Sequence, residues 1–350
     1  MSKIYTALTS RPVDRRTLLK GTATAGAMGL AMRMPGVVQA QDTLRIAFSV
    51  PGLNFPFFVH MMSLAEEYAE EIGGIEFIPL DGQEGGQPSS TKQTADLEAM
   101  IAQGIDGLVI SPNDAEALAP AIQSVIDAGI PVVTVDRNVA ADVGTLAHVG
   151  ADNVEGGRIQ GRYLIEILPE GGEIFELQGQ PGASAAILRH EGLADVLGEQ
   201  DAIEVVVSQP AAFARAEAVR VVEASLTTHP EPDAIVCAND DMAFGAAEVA
   251  QASGLDIPII GFDALPEALI AINDGFMAAT IEQFPGGQAR GALDILMDYL
   301  RNDVEPEEHD VSLTPVLITA DNLGEAERAA EAGIEVADMD VATPEATPAN

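Results

Sequence analysis

A set of polar and aromatic side chains stands mostly just past the ends of apolar, strand-like runs. They are Asn54, Phe57 and Phe58, the Asp136-Arg137 pair, Arg189, Phe213, Asn239, Asp263 and Gln283. Asp, Asn, Arg and Gln each present two donors or acceptors in a plane, which matches neighbouring hydroxyls on a sugar ring. Phenylalanine faces suit the C–H surface of the same ring. Each residue also admits a purely structural role. Asp136-Arg137 reads equally as an ion pair at a strand end, and Phe57-Phe58 as core at a helix start. Asn239 suits the N-cap of the helix after it, Phe213 a hydrophobic staple, and Asp263 a cap for the helix that Pro266 opens. The set gains weight because its members arrive together, at the carboxyl ends of strands, where open α/β sheets bind ligands.

Other chemistries are poorly served. No G-x-G-x-x-G follows the first strand, no G-x-S-x-G or H-E-x-x-H occurs, and the five histidines (60, 148, 190, 229 and 309) are scattered, which argues against an enzyme. A single Cys excludes a disulfide framework and any Cys₄ or Cys₂His₂ zinc site. No metal-ligand cluster is present and nothing calls for a cofactor. With 17 Lys+Arg against 55 Asp+Glu, the formal charge of −38 argues against a nucleic-acid partner, which needs a basic face.

The elements that must position these residues alternate regularly. Strand-like runs at 44–50, 75–80, 107–111, 131–136, 173–178, 204–209, 233–238 and 258–263 are separated by helical patterns at 57–72, 89–103, 115–128, 153–168, 184–197, 213–228, 241–253 and 266–273. Apolar strands alternating with helices of this length indicate parallel sheets covered on both faces. Eight units also suit a single closed barrel. The alternation changes character, however, at 143–152, where a short extended run (145–149) joins two halves. Further crossing segments follow: 278–284, a helix at 286–300 and a strand at 312–319. Two doubly wound α/β lobes that exchange their final elements account for these better than a barrel. The expected lobes are 43–151 with 284–312, and 152–283 with 313–322. The end of the chain is acidic and Ala/Pro-rich, so 323–350 is expected to be a disordered tail with at most a helical turn or two at 325–332.

Residues 1–40 have the makings of an export signal. Arg15-Arg16 precedes Leu18-Leu19-Lys20, a Gly/Ala-rich apolar run covers 21–32, and Val38-Gln39-Ala40 offers small residues for cleavage. The run is about half the ~20 residues of a membrane-spanning helix. The adjacent arginines resemble a twin-arginine signal, with Asp14 where Ser or Thr is usual; an ordinary Sec signal is the alternative. Residues 1–40 hold six basic residues (Lys3, Arg11, Arg15, Arg16, Lys20, Arg33) and one acid (Asp14), leaving 11 basic and 54 acidic residues, a formal −43. Only one of the eleven is a lysine, Lys92. Such a surface stays hydrated where salt screens charge, as in halophiles, and equally fits a moderately acidic exported protein.

At this point the motifs resemble the ribose-binding-protein family, periplasmic sugar-binding proteins of ABC importers. The resemblance rests on Leu53-Asn54-Phe55-Pro56-Phe57-Phe58, Val135-Asp136-Arg137, Gly150-Ala151-Asp152-Asn153, Glu176-Leu177-Gln178-Gly179, Ser208-Gln209-Pro210-Ala211, Asn239-Asp240-Asp241-Met242-Ala243 and Gly261-Phe262-Asp263, and it covers about 44–319. It implies a type I periplasmic binding fold with a three-crossing hinge near 151–152, 283–284 and 312–314. It also implies sugar contacts at Phe57, Phe58, Asp136, Arg137, Arg189, Phe213, Asn239, Asp263 and Gln283. One position departs: where ribose binders place Asn before the proline of the first loop, this chain has Phe55, an apolar ring instead of a hydroxyl-reading amide. The implied function is capture of a neutral monosaccharide or polyol by a monomeric exported protein and delivery to an ABC permease. A periplasmic receptor for a sugar-like signal, such as autoinducer-2 or a chemotaxis ligand, is the alternative on the same fold. A repressor sharing the ligand domain would need a basic helix-turn-helix where the export signal stands.

Overall fold

The computed structural model describes residues 43–140 and 142–336. The arginine pair, the cleavage site and the last fourteen residues lie outside them. The first half runs β1 (Leu44–Val50), α1 (Pro56–Ile72), β2 (Ile75–Asp81), a short antiparallel hairpin β3 (Gln83–Glu84) and β4 (Gln87–Pro88), α2 (Ser90–Gln103), β5 (Gly107–Ile110), α3 (Ala119–Asp127), β6 (Val132–Val135) and β7 (Ala147–Ala151). The second half runs α4 (Asn153–Ile167), β8 (Gly172–Gln178), α5 (Ser184–Leu197), β9 (Ile203–Pro210), α6 (Arg215–Leu226), β10 (Ala234–Cys237), α7 (Asp240–Ala252), β11 (Ile259–Ile260), α8 (Pro266–Asn273) and β12 (Thr280–Glu282). Then come α9 (Pro285–Asn302), β13 (Asp310–Leu313) and β14 (Val316–Ile318).

Ten of these strands form two separate parallel sheets, not a barrel, and the other four make two antiparallel pairs. The first has order β13-β7-β6-β5-β1-β2, all parallel. The second has order β11-β10-β8-β9, also parallel; a bridge from Ile260 to Ala279 links it towards the antiparallel pair β12-β14. Burial explains the strand composition. In β1, Ile46, Phe48 and Val50 join the largest apolar cluster while Ala47 faces a second one, and all four are fully buried. A strand covered on both faces reads as continuously apolar.

The chain passes between the sheets three times: from β7 into α4, from β12 into α9, and from β13 to β14. The last passage corrects the single strand expected at 312–319. Pro315 has no N–H to give a ladder, so the run breaks there. β13 pairs with β7 and β14 with β12. α3 begins at Ala119, four residues later than expected, because Asp114 Oδ1 accepts from the N–H groups of Glu116 and Ala117 and holds a turn.

A second correction concerns the C-terminal segment. Residues 323–336 were expected in a disordered tail, yet Leu323, Ala326 and Ala329 are buried in the main core cluster. Apolar positions three apart put one small stripe on a turn, which acidic, Ala-rich composition conceals. Glu327 ties the segment down: its carboxylate accepts from Gly286 N–H at the start of α9, and its own N–H donates to Glu282 Oε2 at 2.8 Å.

Candidate functional site

Between the two sheets, one small cavity is lined by Phe55, Phe57, Phe58, Asp136 and Arg137 from the first half and by Ala185, Arg189, Phe213, Asn239, Asp263 and Gln283 from the rest. The topology explains this convergence. Asp136-Arg137 follows β6, Phe213 follows β9, Asn239 follows β10, Asp263 follows β11 and Gln283 follows β12, each at a strand's carboxyl end. The three phenylalanines stand where the loop after β1 turns into α1, with Pro56 at the first helical position.

Arg189 arrives differently, from the inward face of α5. That helix packs against α4 at very close range. A methyl on Gly157 would lie 2.1 Å from the carbonyl oxygen of Arg189, and one on Gly192 1.9 Å from that of Val154. Only glycine at both crossings lets the helices approach and brings the guanidinium to the cavity. There Nε donates to Asn153 Oδ1 (2.8 Å), Nη1 to the carbonyl of Ala238 (2.6 Å) and Nη2 to Gln283 Oε1 (3.2 Å). The same group stacks 3.6 Å above the Phe262 ring.

Two ion pairs face each other across the space. Asp263 Oδ1 lies 3.7 Å from Arg189 Nη1 and accepts from Gln283 Nε2 at 2.6 Å. Asp136 Oδ2 lies 3.9 Å from Arg137 Nε and accepts from Ser111 Oγ at 3.4 Å. Arg137 also donates to the carbonyl of Asn113 (3.3 Å) and sits 5.4 Å over Phe58 and 5.3 Å over Phe213, so it touches both walls. All four charged side chains are buried.

Burial dominates their titration. It pushes the Asp263 carboxyl up to about 7 against the pull of Arg189, with Asp136 adding to the rise. It raises Asp136 despite Arg137 and Arg189. It lowers Arg137 to about 10, and lowers Arg189 too, despite their carboxylates. Both partners of each pair are thus driven towards neutrality: desolvation outweighs mutual attraction, the usual outcome for buried ion pairs. A ligand that donates hydroxyls to the carboxylates and accepts from the guanidiniums would repay part of that cost.

Backbone strain gathers here as well. Among the described non-glycine residues, φ is positive at Asp136 (60°), Ala212 (53°), Phe213 (58°), Asp263 (116°), Ala264 (49°), Phe284 (55°) and Asp303 (57°). Three of these line the cavity and three more adjoin a lining residue. Such conformations each cost of order 1–3 kcal/mol and persist where surrounding structure imposes them.

The cavity contains ten of the eleven residues singled out from sequence. Asn54 is the exception: it is exposed in the turn before α1, beside Gln83 of β3, and does not line the space. One residue later the chain turns inward, and Phe55 is buried with its ring edge-on to Phe58 at 6.1 Å. The structural roles weighed from sequence coexist with this placement. Asn239 caps α7 through Met242 N–H (3.0 Å) while its Nδ2 donates to the carbonyl of Phe213. Sequence reasoning missed Ala185, Ser111, Asn113 and Asn153. Ser111 and Asn113 follow β5 and Asn153 follows β7, so all three were open to the same strand-end rule; Ala185 carries no local signal.

Residues 46–303 match a family model described as a periplasmic binding protein domain. The chain is 39% identical to the ribose import binding protein of Bacillus subtilis over 241 residues, covering 69% of this chain and 76% of that protein. It is 36% identical to the ribose import binding protein of Escherichia coli, covering 76% and 88%. Among solved structures it resembles a Caulobacter myo-inositol binding protein bound to myo-inositol (38% identity, TM-score 0.77, covering 85% of this chain and 100% of that one). It also resembles a galactofuranose binding protein (28% identity, TM-score 0.77, covering 83% and 99%).

Proposed function

Because the chain belongs to the periplasmic binding protein family, we propose that it captures a neutral monosaccharide or cyclic polyol between its two sheets and hands it to an ABC importer permease. One observation carries the reading. A single buried cavity gathers two carboxylates, two guanidiniums, two carboxamides and four phenylalanine rings, with no net formal charge. A charged ligand would leave one of those ions uncompensated; a polyhydroxylated ring offers each a partner. The relatives are binding proteins for transport, so the chain is read as a carrier, not an enzyme or a signalling receptor.

Two lobes, 43–151 with 284–312 and 152–283 with 313–322, would close on the ligand about the three crossings, a motion of the kind used by periplasmic binding proteins. In support, about 30 Å³ is free between the lining side chains, the room of a water or so, and a sugar ring enters only if one wall moves. The mature protein would act as a monomer in the periplasm without a nucleic-acid partner, in keeping with its acidity.

The test is a thermal-shift screen over pentoses, hexoses, deoxy sugars and cyclic polyols, since a ligand that binds only the folded state raises Tm. For the best ligand, Asp136→Ala, Arg137→Ala and Asp263→Ala should each weaken binding more than about tenfold, the effect of leaving a buried charged partner unpaired. Three variants binding within twofold of wild type would mean the ligand sits elsewhere. Export through the twin-arginine route is the further expectation from Arg15-Arg16. Replacing both with lysine keeps the charge and should stop it; undiminished export would assign the segment to Sec.

A further inference from the structure

Beyond the lining residues, the two halves meet at a second set of contacts, made by the loops after β5 and β8. The first loop is held rigidly from below. Gln93 on α2 is fully buried; its Oε1 accepts from Asn113 N–H (2.8 Å), and its Nε2 donates to Ser49 Oγ (3.2 Å) and the Ser111 carbonyl (3.0 Å). Asn113 Nδ2 donates to Ser90 Oγ at 3.0 Å. With its own N–H and amide engaged there, Asn113 presents only its two carbonyl oxygens towards the other half.

Gln180 takes both. Its Nε2 donates to Asn113 Oδ1 at 2.8 Å and to the Asn113 backbone carbonyl at 3.0 Å. That backbone oxygen is also the acceptor for Arg137 Nη1. Two neighbouring bonds cross the same gap: Ala115 N–H to the Gly182 carbonyl (3.0 Å) and Asn138 N–H to Ser184 Oγ (2.8 Å). Gly182 has φ of 83°, and a methyl there would lie 2.0 Å from Asp114 Oδ2, so the loops meet closely only with glycine.

We infer that Gln180 is a positioning residue for ligand retention, joining the second lobe to the oxygen of Asn113 that aims Arg137. The inference rests on the sugar-capture reading above. With the lobes together, Gln180 adds a second donor beside Arg137 on that carbonyl, so the two halves are tied through one oxygen. The latch forms only after the ligand has entered, so it acts on escape rather than entry.

Stopped-flow titration of Gln180→Ala with the best ligand from the screen should show an association rate within twofold of wild type and dissociation about tenfold faster, the loss of a shared, half-buried hydrogen bond. Gln180→Glu keeps the shape but replaces the donor with an acceptor facing two carbonyl oxygens, and should dissociate at least as fast. Wild-type dissociation in both variants overturns the inference. So does fast dissociation in Gln180→Ala alone, because that pattern reports packing and not the donor. Should no ligand emerge, the sugar-capture reading falls separately. The latch is then decided by hydrogen exchange of the Ala115 amide: faster exchange in Gln180→Ala than in wild type supports it, and equal exchange overturns it.

Discussion

At the scale of single residues, Phe55 is the position expected to set the ligand apart from ribose. Its ring lines the cavity, buried against Phe58 and 6.0 Å from the Arg137 guanidinium. It neither donates nor accepts, and a hydroxyl buried against it loses hydration without a partner. Asn54, the preceding residue, is exposed and offers no substitute. D-ribose is therefore expected not to be the best ligand, and the preferred one should lack a hydroxyl at this edge or carry a methyl or methylene there. Calorimetric titration of wild type and Phe55→Asn with D-ribose and the best screened ligand checks this. The variant should gain affinity for ribose, and tight wild-type binding of ribose that the substitution leaves unchanged would refute the assignment.

At the scale of elements, the passage from β12 to α9 concentrates unusual chemistry. Glu282 is fully buried, and burial followed by the nearby Glu327 carboxylate pushes it up to about 8. Three backbone N–H groups pull the other way: Gln283 and Phe284 donate to Oε1 and Glu327 to Oε2. The same passage presents Gln283 to the cavity and receives the 323–336 segment on its outer side. An acid whose pKa is raised on folding binds more protons folded than unfolded. Its stabilising contribution is complete below the ordinary carboxylate pKa and is lost as pH rises through about 8. Asp263, raised to about 7, acts with the same sign. The melting temperature of wild type should accordingly fall between pH 5 and pH 8.5, and Glu282→Gln should flatten that fall in a calorimetric series. Parallel profiles would show that Glu282 is ionised throughout.

At the scale of the whole molecule, charge is the dominant feature. Most described arginines outside the cavity pair with acids at the surface, as in Arg45–Glu76, Arg158–Asp195 and Arg220–Glu217. Such pairs are worth about 0–1 kcal/mol each and are weakened by salt. Against 11 bases, the 54 acids of residues 41–350 leave most carboxylates repelling one another at low ionic strength. Salt screens that repulsion over about 10 Å at 0.1 M and about 3 Å at 1 M. Repulsion among the uncompensated acids outweighs the few pairs, so the melting temperature should rise from low to molar NaCl. A flat or falling series would remove the halophilic interpretation.

Sequence alone determined the order of elements and the sites where chemistry gathers. Strand period and the residues that follow each strand are local signals, and one rule about strand ends drew Asp136, Asn239 and Asp263 from the chain. What lies together across the fold was decided only by tertiary structure. Nothing near residue 137 tells that its guanidinium will lie over Phe213, and nothing near 180 tells that its amide will reach Asn113. Asn54 and Phe55 are adjacent, yet one faces solvent and the other the cavity, because the turn into α1 rotates successive side chains to opposite sides. The small apolar stripe at 323, 326 and 329 became core only because α9 and the passage from β12 present a surface for it. Local propensity places residues on elements; contacts between residues tens of positions apart follow from how those elements pack, which no window of sequence contains.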